Sequence, residues 1–220
     1  GRGLAGRRGA VAGLEAWAAE HRDPARPLIW VHAPSVGEGL MAQAIVAALR
    51  ERRRDVQIVF TYFSPSAERM AARVGADVAG YLPWDVRPDV DRALEALRPA
   101  VVAFVRTEIW PVLGQAAVER GIRLALVNAV LAEGSSRLRA GSRYLLAPAY
   151  ARLDAVGAVA RGDAARFPRL GVAADRVHLT GDARFDQVWA RIERLRAAEA
   201  RNGHPLLRRL ADEGVSTTVA

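Results

Sequence analysis

Seven short apolar runs alternate along the chain with longer segments whose apolar residues recur three and four positions apart. The runs are "PLIWVHA" (27–33), "VQIVFTYF" (56–63), "VAGYLP" (78–83), "AVVAFV" (100–105), "IRLALVN" (122–128), "LDAVGAVA" (153–160) and "RVHLTG" (176–181). Their length and their β-branched or apolar content read as strands. Residues 38–54, 66–75, 90–99, 109–121, 142–153 and 163–171 carry helical spacing and often close on Gly or Pro. Strands apolar on both faces that alternate with helices predict a parallel sheet covered on both sides, a doubly wound α/β domain. After "TGDARFDQ" (180–187) the pattern becomes a polar, Arg- and Ala-rich helix at about 186–201. The expected division is therefore one Rossmann-like domain over 1–180, with a linker and the start of a truncated second domain over 181–220. Both ends of the chain read as cut.

Composition narrows the chemistry. The chain has 220 residues, 51% of them hydrophobic and 25% charged, an ordinary globular balance with enough length for a sizeable core. Cysteine is absent, which excludes disulfides and thiolate metal sites. His21, His32, His178 and His204 are too scattered to suggest a metal pair. Net charge is +8 and all 32 basic residues are Arg. These are spread along the chain without interleaved aromatic residues, so no nucleic-acid partner is expected. No run is long and apolar enough to span a membrane, and no secretory signal pattern is present.

In open α/β sheets, ligands bind at the carboxyl ends of the strands. Three polar turns fall there. "PSVGEG" (34–39) follows the first strand. Ser35-Val36-Gly37-Glu38 fits a capping box, in which Ser and Glu satisfy free backbone N–H groups. The same turn places a carboxylate between Gly37 and Gly39, which permit close approach of a substrate. Both readings stand on residue type and spacing. "RTEIWP" (106–111) puts Glu108 after the fourth strand, where it favours a helix dipole or shares acid–base work with Glu38. "NAVLAEGSSRLRAGSR" (128–143) is a polar loop suited to hold an anionic group. The literal G-x-G-x-x-G at residues 1–6 follows no strand and is discarded. The phosphate-loop and nucleophile-elbow motifs are absent.

Together these turns resemble those of the Kdo transferases, which move 3-deoxy-D-manno-oct-2-ulosonic acid from CMP-Kdo onto a lipid A precursor. The resemblance is carried by "WVHAPSVGE", "FSPSAERMA", "YLPWD", "TEIWP", "VNAVL" and "TGDARFD", in this order and at these spacings. It implies a GT-B architecture of two Rossmann-like domains, the first binding the acceptor and the second CMP-Kdo. It also implies attachment to the cytoplasmic face of the bacterial inner membrane, and catalysis without metal or cofactor.

By the same resemblance Glu38 is the general base, and a Glu38 held in the cap is not expected to serve both roles fully in one rotamer. Glu108 supports the transition state. Arg184, where the family pattern has Lys, supplies a cation on the donor side. Ser35, Gly37, Thr107, Asn128 and Ser135 are the implied substrate-binding positions. Several residues depart from the pattern. Arg106 replaces an acid and Val112 an Asn; in the loop expected near the substrates Val130 and Gly134 replace two Arg and Ala132 a Ser, losses that bear on acceptor choice and on activity. Two other readings remain: a GT-B enzyme acting on another nucleotide sugar, and a degenerate relative that only binds. Without most of the donor domain, these 220 residues are not expected to transfer sugar alone. Whether "LLAPAYARL" (145–153) meets an acyl chain or the core is left open.

Overall fold

The computed structural model describes residues 6–185 together with Ile192 and Arg196. Its strands are β1 (Leu28–His32), β2 (Gln57–Tyr62), β3 (Val78–Tyr81), β4 (Val101–Val105), β5 (Arg123–Ala129), β6 (Ala155–Ala158) and β7 (Val177–Leu179). These are the seven runs read from the sequence, with ends shifted by at most two residues. All pair in parallel, in the order β3-β2-β1-β4-β5-β6-β7. The helices are α1 (Ala10–His21), α2 (Val36–Arg52), α3 (Glu68–Ala71), α4 (Arg87–Leu97), α5 (Pro111–Glu119), α6 (Ala140–Tyr150) and α7 (Arg161–Arg166).

Alternate strand residues feed two cores, as the two-sided apolar pattern requires. Leu28, Trp30, Val59, Val102, Phe104 and Leu126 join Leu14 of α1, Leu94 of α4 and Leu113 of α5. Val31, Ile58, Phe60 and Val105 join Met41 and Val46 of α2 and Met70 of α3. Trp30 is fully buried, and its indole N–H donates to Thr61 Oγ1 at 2.9 Å. Burying side chains of this size contributes about 1.5–3 kcal/mol each.

Three segments differ from the sequence reading. Helix α1 has no counterpart in it. Its buried stripe includes Ala10 and Ala18, which carry little hydrophobic signal, and its N-cap Gly9 offers no side chain to announce a start. Arg22 secures the end of α1 by donating to the Leu97 and Arg26 carbonyls. The expected helix over 66–75 is a 3-10 turn (Pro65–Ala67) followed by the single turn of α3, and Gly75, in the left-handed region, leads into β3. The expected helix over 163–171 becomes a 3-10 turn at Phe167–Leu170, because Pro168 has no N–H to continue an α-helix.

Contacts divide the chain into two compact units, Gly1–Ala183 and Arg184–Ala220. The helix expected at 186–201 and nearly all of the expected second domain lie outside the described residues. Among the described residues, no helix is long and apolar enough to cross a membrane.

Candidate active site at the strand-order reversal

The chain leaves β1 toward β2 on one side and leaves β4 toward β5 on the other, so the sheet order reverses between two adjacent strands. In doubly wound sheets the ligand crevice opens at the carboxyl ends of such a pair. The turns over 33–38 and 106–110 occupy those ends. The strand order therefore brings the Glu38 and Glu108 turns, 70 residues apart in sequence, to neighbouring positions.

Ser35 is the N-cap of α2, and the capping box expected from the sequence is present. The Ser35 hydroxyl donates to Glu38 Oε2 at 2.7 Å and the Ser35 backbone N–H donates to the same oxygen at 3.1 Å. The Glu38 N–H donates in turn to Ser35 Oγ at 3.5 Å. All of the cap's carboxylate bonds fall on Oε2. No hydrogen bond from the described residues reaches Oε1, so one rotamer serves the cap and still presents an acceptor oxygen. The two glycines differ. A Cβ on Gly39 would lie 1.7 Å from Met70 Cε, so Gly39 is required for α2 to pack on α3. A Cβ on Gly37 would meet only Ser35 Oγ at 4.0 Å, which leaves open space beside the carboxylate.

Glu108 is exposed and makes no hydrogen bond or ion pair with the described residues. Its turn is held from several directions. Asp85, from the loop after β3, accepts from the N–H groups of Val112 at 3.1 Å and Leu113 at 2.8 Å, capping α5 in place of Trp110. Pro111 opens the helix where a missing N–H is harmless. Thr107 Oγ1 donates to the Val130 carbonyl at 2.8 Å, and the Thr107 carbonyl accepts from Tyr150 Oη at 2.5 Å. Burial pushes the Tyr150 phenol up, and the neighbouring Glu108 charge adds to this while Arg137 opposes it. Arg106 adopts a left-handed backbone, φ 77°, with its N–H bonded to the Val127 carbonyl at 2.9 Å.

His32 closes the floor between the two turns. It is wholly buried, with Nδ1 3.0 Å from Thr61 Oγ1 and its ring edge-on to Trp110 at 5.5 Å. Removal from water pushes its pKa down to about 3, so at neutral pH the imidazole is uncharged. Trp110 also packs on Phe63 at 5.0 Å.

The remaining implied binding positions are engaged in the scaffold. Asn128 is buried in the left-handed region at φ 51°, which Asn tolerates better than most residues. Its Oδ1 accepts from the Ala183 N–H at 2.7 Å, and its Nδ2 reaches Asp182 Oδ1 at 3.3 Å and Met41 Sδ at 3.0 Å. It thus ties the turn after β7 to β5 and α2. Ser135 Oγ accepts from the Arg137 N–H at 3.3 Å and caps the turn Ser136–Leu138. Arg184 is exposed and opens the second unit. His32 and Asp85 lie within quoted motifs, yet nothing in their spacing announces a buried imidazole or a cap on a distant helix. Tyr150 carries no sequence signal at all. Among the described residues, no three His, Cys, Asp or Glu side chains gather as a metal site would require.

Comparison with known proteins supplies the chemistry's context. The chain is 33% identical over 181 residues to the 3-deoxy-D-manno-octulosonic acid transferase of Bordetella pertussis, covering 80% of this chain and 40% of that protein. It is 28% identical over 160 residues to the enzyme of that name from Haemophilus influenzae, covering 72% and 38% respectively. The chain thus spans about two fifths of the length of these relatives. Among solved structures, UDP-GlcNAc 2-epimerase from Neisseria meningitidis, bound to UDP-GlcNAc, superposes with a TM-score of 0.58 at 14% identity. That match covers 77% of this chain and 50% of the epimerase. The Rickettsia bellii epimerase gives 0.55 at 14% identity, covering 84% and 51%. These two structures show the fold, an α/β Rossmann-like domain of the GT-B kind. Residues 6–187, which contain the strand-order reversal and both carboxylate turns, match the 3-deoxy-D-manno-octulosonic-acid transferase (kdotransferase) family, and the chain belongs to that family.

Proposed function

We propose that this chain is the acceptor-side part of a glycosyltransferase that moves Kdo from CMP-Kdo onto a lipid A precursor, with inversion and without metal. Family membership supports the reaction class. The observation that supports the residue assignment is Glu38: its cap uses one carboxylate oxygen and leaves the other unbonded by the described residues at the reversal, beside the open space at Gly37.

In this reading, Glu38 Oε1 takes the proton from an acceptor sugar hydroxyl. The freed oxygen attacks the anomeric carbon of Kdo from the face opposite CMP. A C–O bond forms there, the bond from that carbon to the phosphate oxygen breaks, and CMP leaves with the electron pair. Glu38 then returns its proton to solvent. A positioned carboxylate base contributes roughly 10²–10⁴-fold to such a step. Glu108 orients the acceptor from the adjacent strand end, and Arg184 offsets charge on the departing phosphate. Tyr144 and Leu145 are 83% and 76% exposed on α6 beside Arg139 and Arg143. An apolar surface flanked by cations suits an acylated, anionic acceptor held at the cytoplasmic face of the inner membrane.

The test is transfer by the full-length protein, read by mass spectrometry as the Kdo increment on a lipid A precursor, with Glu38→Gln alongside wild type. Gln retains an oxygen for the cap but is not a base. Loss of transfer by about two orders of magnitude or more, with an unchanged melting temperature, supports the assignment. Transfer that survives in Glu38→Gln returns Glu38 to capping alone.

A further inference from the structure

We infer that Arg106 receives an oxyanion of a substrate, a carboxylate or a phosphate, at the reversal between β1 and β4. The choice of substrates rests on the function proposed above; the anion site itself rests on the local structure.

Arg106 Nη1 is buried and has no hydrogen-bond partner among the described residues. Elsewhere the chain pairs its guanidinium groups readily: Arg50 with Asp77, Arg53 with Asp55, Arg92 with Glu15 and Arg120 with Asp91. Arg106 makes no such pair, although Glu108 stands two residues away. A surplus cation would extend into water, as Arg52 does. Arg106 instead folds a charged donor out of solvent, which is costly when no acceptor answers it.

The backbone adds to this. A non-glycine residue at φ 77° is uncommon, and residues held there cluster at binding sites where the surroundings over-determine them. Here the surroundings do so through two bonds, Arg106 N–H to the Val127 carbonyl at 2.9 Å and Thr107 Oγ1 to the Val130 carbonyl at 2.8 Å. They fix the start of the side chain at the end of β4, one of the two strands that flank the reversal.

Two further buried polar atoms without partners, Trp110 Nε1 and His32 Nε2, belong to the same pair of strand ends. Trp110 Nε1–H is a donor in every state, and the two ring nitrogens of His32 divide donor and acceptor roles between Thr61 and this end of the sheet. An unanswered guanidinium N–H and an unanswered indole N–H at one end of a sheet call for an oxygen-rich, anionic ligand. A guanidinium fork matches carboxylate and phosphate oxygens bidentately, which an ammonium cannot do. The position carries an acid in the pattern this chain resembles, so the site is a property of this chain.

Binding of free Kdo, a sugar carboxylate, and of inorganic phosphate to the full-length protein is measured by titration calorimetry for wild type, Arg106→Gln, Arg106→Lys and Arg106→Gly. Wild type is expected to bind at least one probe, Gln to weaken it roughly 10- to 100-fold, and Lys to recover only part. Loss confined to Kdo assigns Arg106 to the donor carboxylate; loss confined to phosphate assigns it to an acceptor phosphate. Gly is at ease in the left-handed region, so Arg106→Gly is expected to lose the probe while melting at or above the wild-type temperature. Equal binding by wild type and Arg106→Gln, or a Gly variant that melts lower and binds normally, overturns the inference. The transfer assay separates the two claims. No Kdo transfer by wild type with Arg106-dependent probe binding refutes the function and keeps the site. Normal transfer with unchanged KM values in Arg106→Gln keeps the function and refutes the site.

Discussion

Lowering the pH from 8 to 4.5 is expected to destabilise this fold through His32. The unfolded imidazole titrates near 6.5, whereas burial in the folded chain pushes the pKa down to about 3. Above pH 6.5 neither state binds the proton, so His32 contributes no pH dependence there. Between about 6.5 and 3 the unfolded state binds the proton and the folded state does not, and stability falls as pH falls. At pH 4.5 the unfolded imidazole is almost fully protonated while the folded one remains neutral. The difference accumulated from pH 8 is then about 2.5 kcal/mol, at about 1.4 kcal/mol per pH unit once titration is complete. The assay is urea unfolding of wild type and His32→Asn at pH 8 and pH 4.5. Asn keeps a short polar group near Thr61 and does not titrate, and every other ionisable group cancels in the comparison. The gap between the two proteins is expected to shift by about 2.5 kcal/mol in favour of the variant at pH 4.5. A shift below about 0.5 kcal/mol would refute the claim that a neutral imidazole is sealed between the two turns.

Further outcomes follow from neighbouring groups. Gly37→Ala is expected to raise stability by up to about 1 kcal/mol, because Ala is the better helix former and its Cβ meets open space. The same variant is expected to raise the acceptor KM, and an unchanged KM would show that no ligand uses that space. Asn128→Ala removes bonds to Ala183 and Asp182 and leaves a half-buried N–H unanswered, at a cost of about 1 kcal/mol. Limited proteolysis of Asn128→Ala is expected to cut first near residues 180–184; cleavage unchanged from wild type counts against the tie.

The sequence made the strands legible because each is apolar on both faces and bounded by turn residues, and so all seven fell where the pattern put them. Helix α1 was not legible, because alanines such as Ala10 and Ala18 bury well without standing out and no polar cap marks its start. The helix-like spacing over 66–75 was overruled by local chain geometry around Pro65 and Gly75, which leaves one turn of α-helix. Strand order was not legible either. Periodicity states that a run is a strand, but the pairing of β4 with β1 rather than β3 is decided by how the crossovers pack. That pairing is what makes the Glu38 and Glu108 turns neighbours.

The motif residues divide once their bonds are known. Thr107, Asn128 and Ser135 direct their polar groups to the backbone or to the turn after β7, and Asp85 holds the start of α5. A segment that resembles a family pattern can thus be retained for architecture as much as for chemistry. What marks the chemistry is unanswered bonding capacity at the place where the topology opens a crevice. Among the described residues, Glu38 keeps one oxygen unbonded while the other caps a helix, so the cap holds the carboxylate at a fixed height above the sheet. In the function proposed above, the capping role and the catalytic role are one arrangement: the bonds from Ser35 to Oε2 orient Oε1. Ser35→Ala, which removes one of those bonds, is expected to cost about 1 kcal/mol of stability and to lower kcat while Glu38 remains intact. A Ser35→Ala enzyme that loses that stability and keeps its kcat would separate the two roles again.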